Sequence, residues 1–218
     1  RIDECDEMEP LEKSKCSGRQ VVSAFSKDLQ EKNCEGTKPK FHQKESPADS
    51  GKAVKVLQKL CEAAEAINSG DPRKEEDGKR AMEAPLEEIN KKMIRMKKIK
   101  EAGAKAIDKL IAEDFYFEKI LDFFNVNISD PSDHPLSLLG EGVELMYDVV
   151  QGQVSGKKFA LFALKAAKLA LKIGGSAIPF PGNILAAKLV DLGIQKLSEE
   201  SAEALEDTID RIATEAVH

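Results

Sequence analysis

The residues of this 218-residue chain that most clearly indicate chemistry are its four cysteines. All of them lie in the first 61 residues, at Cys5, Cys16, Cys34 and Cys61. An even number of cysteines confined to one region is typical of a disulfide framework, and four cysteines can pair in three ways. We expect two disulfide bonds that reinforce the N-terminal third, because a chain of this length can bury a core without them.

Zinc binding is the alternative chemistry for these cysteines. The segments between them contain 10, 17 and 26 residues, so no Cys-x-x-Cys pair exists, and His42 is the only histidine nearby. Structural zinc sites usually contain closely spaced ligand pairs. We therefore predict disulfide bonds, and these indicate an oxidising compartment.

Secretion is the localisation that two further features favour. The chain begins at Arg1 rather than at a methionine, as we expect of a chain trimmed by signal peptidase. Asn127 begins an Asn-Ile-Ser glycosylation sequon, and Pro131 and Pro135 predict a loop there. We therefore expect a secreted, extracellular protein with a glycan on Asn127.

Catalytic chemistry is not indicated by any recognisable motif. None of the three histidines, His42, His134 and His218, has a nucleophile in a familiar setting. A calcium loop counted from Asp130 would need glycine at its sixth position, where the chain has Pro135. We predict that the protein is not an enzyme and that it uses no metal or cofactor.

Lysine and arginine side chains on two predicted helices form the other candidate site. The first helix carries a basic run that includes Lys91, Lys92 and Arg95. The second, at 157–173, is cationic and amphipathic, with four lysines on one face: Lys158, Lys165, Lys168 and Lys172. Such runs are either solvated helix faces or surfaces for an anionic partner, here an anionic lipid or a polyanion.

The segment 157–197 is predicted to form an apolar helical hairpin. Its first helix of about 16 residues would be about 24 Å long, which is shorter than the hydrocarbon core of about 30 Å, so it should not cross a membrane alone. The composition of the hairpin resembles that of the membrane-inserting helix pairs of helical pore-forming toxins. Two alternatives stay open: a buried pair in a bundle core, and a pair lying on an anionic membrane surface.

The remaining elements follow from helical periodicity and turn residues. Residues 1–50 are predicted to be mainly irregular, with one short helix near 20–32. Apolar spacing predicts a helix at 53–67, one of about 25 residues from Pro85 to about Ile111, and one at 136–150. The charged stretch 73–80 is predicted to be a loop or a frayed helix start, and the aromatic cluster at 115–124 to be core.

The predicted fold class is all-α, because the chain has no tryptophan, only 5% aromatic residues and many helix formers. We expect an irregular multi-helix bundle at 51–218 and a disulfide-tied N-terminal segment at 1–50. The net charge of −6 does not predict nucleic-acid binding.

The predicted function is that of a secreted non-enzymatic binding or effector protein, of the kind found in saliva, venom or haemolymph. Its partner would be an extracellular protein or surface. The alternative is a membrane-active or lipid-binding protein that uses 157–197. The sequence leaves the oligomeric state and the identity of the partner open.

Overall fold

The computed structural model describes residues 10–42, 51–100, 102–126 and 133–152. It also describes single residues beyond them: Phe162, Lys165, Ala166, Leu169, Ile178, Pro179 and Gly182. The continuous ranges form six helices and a small antiparallel hairpin. The predicted fold class, an all-α multi-helix bundle with a disulfide-anchored N-terminal segment, is confirmed.

The elements follow in a simple order along the chain. Helix α1 (Pro10–Lys32) leads into the hairpin of β1 (Cys34–Glu35) and β2 (Lys38–Pro39). Four helices come next: α2 (Gly51–Asn68), α3 (Pro72–Lys100), α4 (Ala104–Glu113) and α5 (Phe115–Phe123). Helix α6 (Asp133–Val150) follows them.

Two long helices carry most of the core. Helix α2 packs against α1, α3 and α5, and it buries residues at helical spacing that include Leu57, Leu60 and Ala64. Helix α3 packs against both α2 and α6 and buries an apolar stripe: Met82, Leu86, Ile89, Met93 and Met96. Because these apolar side chains face the core, the face that α3 turns to solvent is mostly charged.

The contact between α2 and α3 depends on a glycine. A Cβ atom on Gly78 of α3 would lie 2.8 Å from the backbone oxygen of Ala63 on α2. Between α3 and α6, a Cβ on Gly140 would lie 3.5 Å from the Cβ of Met93, which is an ordinary contact. Gly78 is therefore required by space, whereas Gly140 is not.

The predicted helices at 53–67 and 136–150 are confirmed as α2 and α6. The predicted helix near 20–32 is also present, but α1 begins ten residues earlier, at Pro10. Proline is well tolerated at a first helical position, where its missing N–H would have no partner in any case. The expected side chains of α1 are buried: Val21, Val22, Phe25 and Leu29.

The prediction that a helix starts at Pro85 is wrong, because α3 begins at Pro72 and contains Pro85 in its interior. Asp71 caps this earlier start: its carboxylate accepts a hydrogen bond from the N–H of Arg73 at 3.0 Å. Pro85 is buried in the bundle. The packing of its neighbours therefore outweighs the one helical hydrogen bond that a proline removes.

The predicted helix that continues to about Ile111 is also wrong, because α3 ends at Lys100 and α4 begins at Ala104. Gly103 between them has φ 105°, a conformation that side chains with a Cβ rarely adopt. The chain changes direction at this point, and α4 packs back against α3. The turn brings the end of α4 beside the charged face of α3.

Candidate binding site

The cysteines are placed by the first helices and the hairpin. Cys34 on β1 forms a disulfide bond with Cys61 on α2, and both are buried in the core. Cys5 lies outside the described residues, and only the backbone of Cys16, in α1, is described. Only one of the three pairings contains the Cys34–Cys61 bond, so we expect Cys5 to pair with Cys16.

Buried polar groups hold the disulfide-bonded hairpin against α5. The amide of Asn33 donates a hydrogen bond of 2.7 Å to the backbone oxygen of Phe123. The backbone N–H of His42 donates to a carboxylate oxygen of Asp122 at 3.2 Å. The ammonium of Lys119 lies 4.5 Å from the centroid of the Phe41 ring. The cluster fixes the N-terminal segment to the bundle, which is a structural role.

A cleft of about 570 Å³ lies where α3 meets the end of α4 and the start of α5. This volume is in the usual range of ligand-binding pockets. Residues one helical turn apart on α3 line one wall: Glu88, Lys92 and Arg95. Consecutive residues around the start of α5 line the other: Asp114, Phe115 and Tyr116.

Asp114 organises the charges of the cleft. Its carboxylate accepts a hydrogen bond of 2.7 Å from the ammonium of Lys92 and lies 3.7 Å from the guanidinium of Arg95. The same side chain caps α5 by accepting from the N–H of Phe117 at 3.2 Å. Burial by itself would raise the pKa of Asp114, but these hydrogen bonds and the two positive charges outweigh it and lower the pKa.

Tyr116 also lines the cleft. The ammonium of Lys92 lies 4.7 Å from the centroid of its ring, within the range of a cation–π contact. Its hydroxyl is buried and has no hydrogen-bond partner within the described part of the chain. Burial, together with the negative charges of Glu88 and Asp114, raises the pKa of Tyr116 to about 12. The phenol is therefore neutral at physiological pH.

These shifts indicate what the cleft can do chemically. The lowered pKa of the Asp114 carboxyl keeps that group charged at neutral pH, whereas the raised pKa of the Tyr116 phenol keeps that group neutral. Within the described ranges, no group of three or more His, Cys, Asp or Glu side chains could hold a metal ion. The cleft therefore combines cationic and anionic side chains with the aromatic rings of Phe115 and Tyr116.

The three predicted cationic residues of α3 are not equivalent. Lys92 is directed into the cleft, where Asp114 neutralises it. Lys91 and Arg95 are 65% and 60% exposed, and each lies 3.7 Å from a carboxylate, Glu87 and Asp114 respectively. Lys91 and Arg95 therefore offer charge to solvent, whereas Lys92 mainly stabilises the fold.

The candidates of the second half of the chain are described only in part. Lys165 is exposed and pairs with Glu141 of α6 at 2.9 Å. Four apolar residues of the segment 157–197 are buried and belong to the core: Phe162, Ala166, Leu169 and Ile178. The other predicted residues, Lys158, Lys168, Lys172 and the sequon residue Asn127, lie outside the described residues.

In the part of the chain that the structure describes, large apolar side chains are exposed at two positions, one on α3 and one at the cleft that α3 borders. Among the described residues, Ile94 on α3 and Phe115 at the cleft are the exposed large hydrophobic side chains, at 41% and 38%. The sequence predicted Phe115 to be core, and it lies at the surface instead. Asp114 was not predicted, although an aspartate directly before an aromatic run is a helix-start signal that could have indicated its capping role.

Comparison with protein-family models, with curated proteins and with solved structures finds no match to this chain. None of the helices in the described ranges combines the length and the apolar character that crossing a membrane requires.

Proposed function

We propose that this chain is a secreted, non-enzymatic binding protein that recognises an extracellular protein or surface through the cleft and the exposed face of α3 beside it. The observation that carries the proposal is that exposed Phe115 lines the cleft together with Lys92 and Arg95, and that exposed Ile94 is the chain neighbour of Arg95 on α3. Aromatic residues and arginine are enriched where proteins bind one another.

The disulfide bond supports the extracellular part of the proposal. Disulfides persist in oxidising compartments and are rare in the reducing cytosol. The Cys34–Cys61 bond lies in the core and closes a loop with a sequence separation of 27. A bond in this position is compatible with secretion and suits a protein whose N-terminal segment must stay attached outside the cell.

The membrane-active alternative, which uses 157–197, is less well supported. To reach a lipid surface, Phe162 and Leu169 would have to leave the core in which they are buried. Exposing each of these side chains costs about 1.5 to 3 kcal/mol, which membrane binding would have to repay. Flotation with vesicles rich in anionic lipid tests the alternative, and co-flotation at low salt would favour it over our proposal.

Site-specific photo-crosslinking tests the proposed function. A photoreactive phenylalanine analogue replaces Phe115 in one variant and Lys59, an exposed residue of α2, in the control. We expect an adduct with a component of the extracellular fluid at position 115 only, and excess unmodified protein should abolish it. Equal adducts at both positions, or none at either, would contradict the proposal.

A further inference from the structure

Four exposed residues on one side of α3 form a single surface, which we call the α3 stripe: Lys91, Ile94, Arg95 and Lys98. Ile94, Arg95 and Lys98 follow Lys91 by three, four and seven residues, which places all of them on one helical face. The stripe therefore consists of three cationic side chains around one exposed isoleucine.

The charges of the stripe are only weakly neutralised within the protein. The ion pairs of Lys91 with Glu87 and of Arg95 with Asp114 both span 3.7 Å, longer than the 2.7 Å between Lys92 and Asp114. Lys98 forms no ion pair within the described ranges. Long ion pairs whose cation is exposed contribute little stability, so the cations of both pairs can be shared with an incoming carboxylate at small cost.

A protein fits this surface better than a membrane does. A helix that binds in the interface of a lipid bilayer buries a continuous apolar face in it. The apolar face of α3, which includes Met82, Leu86 and Met93, is already buried against α2 and α6. Ile94 alone is an anchor for one apolar side chain and not a membrane-inserting face.

We propose that the α3 stripe binds an acidic protein segment, whose carboxylates pair with Lys91, Arg95 and Lys98 and whose apolar side chain packs on Ile94. This inference rests on the proposed function and adds the chemistry of the partner. Charge complementarity speeds association and selects against basic partners, so binding should weaken as salt is added.

A synthetic peptide is the probe. A fluorescein-labelled helical peptide that carries glutamate and leucine on one face is titrated with the full chain, and binding is followed by fluorescence anisotropy. Reversing three exposed charges, in a combined K91E, R95E and K98E variant, should weaken binding about tenfold or more. Ile94→Ser should weaken it several-fold.

The matched control is Arg80→Glu, which reverses an exposed charge of the same helix about 22 Å along its axis from Arg95. We expect this variant to bind like the unmodified protein. Circular dichroism and urea unfolding establish that every variant is folded, so a lost interaction cannot be attributed to a lost fold.

Three results would overturn the inference: no binding of the peptide, equal binding by a peptide with alanine in place of leucine, or equal binding by the charge-reversed variant. Stripe-dependent binding of vesicles rich in phosphatidylserine, without binding of the peptide, would assign the stripe to a membrane. An adduct at position 115 that persists in the charge-reversed variant would retain the proposed function while contradicting the acidic partner.

Discussion

The ion pair between Asp114 and Lys92 provides the sharpest prediction about stability. Both side chains are mostly buried, at 16% and 26% exposure, and their charged atoms are 2.7 Å apart. Asparagine can still cap α5, so Asp114→Asn removes the charge and keeps the cap. We expect this substitution to lower the free energy of unfolding by about 1.5 kcal/mol, at the low end of what hydrogen bonds to charged groups contribute, because the pair keeps partial contact with water.

Asp114→Ala should cost about 1 kcal/mol more than Asp114→Asn, since it also removes the cap. A double-mutant cycle with Lys92→Met isolates the pair, and we expect a coupling energy of about 1 kcal/mol. The matched control is the pair of Lys91 and Glu87, which is longer and more exposed. Its coupling should not exceed about 0.5 kcal/mol.

The pH dependence follows from the lowered pKa of Asp114. A carboxyl whose pKa is lower in the folded state stabilises the protein fully above its unfolded pKa, and this stabilisation is lost as the pH falls through the folded pKa. The stability difference between the unmodified protein and Asp114→Asn should therefore be constant near neutral pH and shrink below pH 3.8. Urea unfolding at several pH values measures it. A coupling energy no larger than that of the control pair, or a difference that does not change between pH 7 and pH 3, would refute the assignment.

Three further predictions concern packing, the disulfide and the buried phenol. Gly78→Ala should destabilise the protein by about 1 to 3 kcal/mol, because the new Cβ would lie 2.8 Å from the Ala63 oxygen. Gly140→Ala in α6 should be neutral or stabilise by up to about 1 kcal/mol, because its Cβ would make only ordinary contacts. Urea unfolding distinguishes the two variants, and equal effects would contradict the packing described for Gly78. Replacing both Cys34 and Cys61 by alanine should cost about 3.5 kcal/mol for a loop of this length, and an unchanged thermal midpoint would argue against the bond. Tyr116→Phe should abolish a phenol titration near pH 12, which ultraviolet absorbance follows. The substitution should not lower the stability, because the hydroxyl has no hydrogen-bond partner among the described residues. A marked loss of stability would indicate an unrecognised hydrogen bond.

The sequence predicted best those elements whose apolar residues recur without interruption. Helices α2 and α6 have clear periodicity and few charged residues on their inner faces, and both lie close to the predicted ranges. Residues 73–80 of α3 are mostly charged, so no periodicity indicated a helix there. Asp71 caps the start of this helix. The close contact at Gly78 depends on the position of α2, which local helix propensity does not indicate.

The candidate site was predicted only in part, because it joins residues that are distant in sequence. Lys92 and Asp114 are 22 positions apart, and they meet only because the chain turns at Gly103. The direction of the turn, and with it the cleft, depends on packing between α3 and α4 that no spacing in the sequence encodes.

The measurement that tests the central claim most directly is peptide mapping of the native protein under non-reducing conditions, with free thiols alkylated before digestion. A disulfide-anchored bundle that works outside the cell predicts a peptide that links Cys34 to Cys61, a second peptide that links Cys5 to Cys16, and no alkylated cysteine. Alkylated Cys34 and Cys61 would contradict both the anchored fold and the extracellular function.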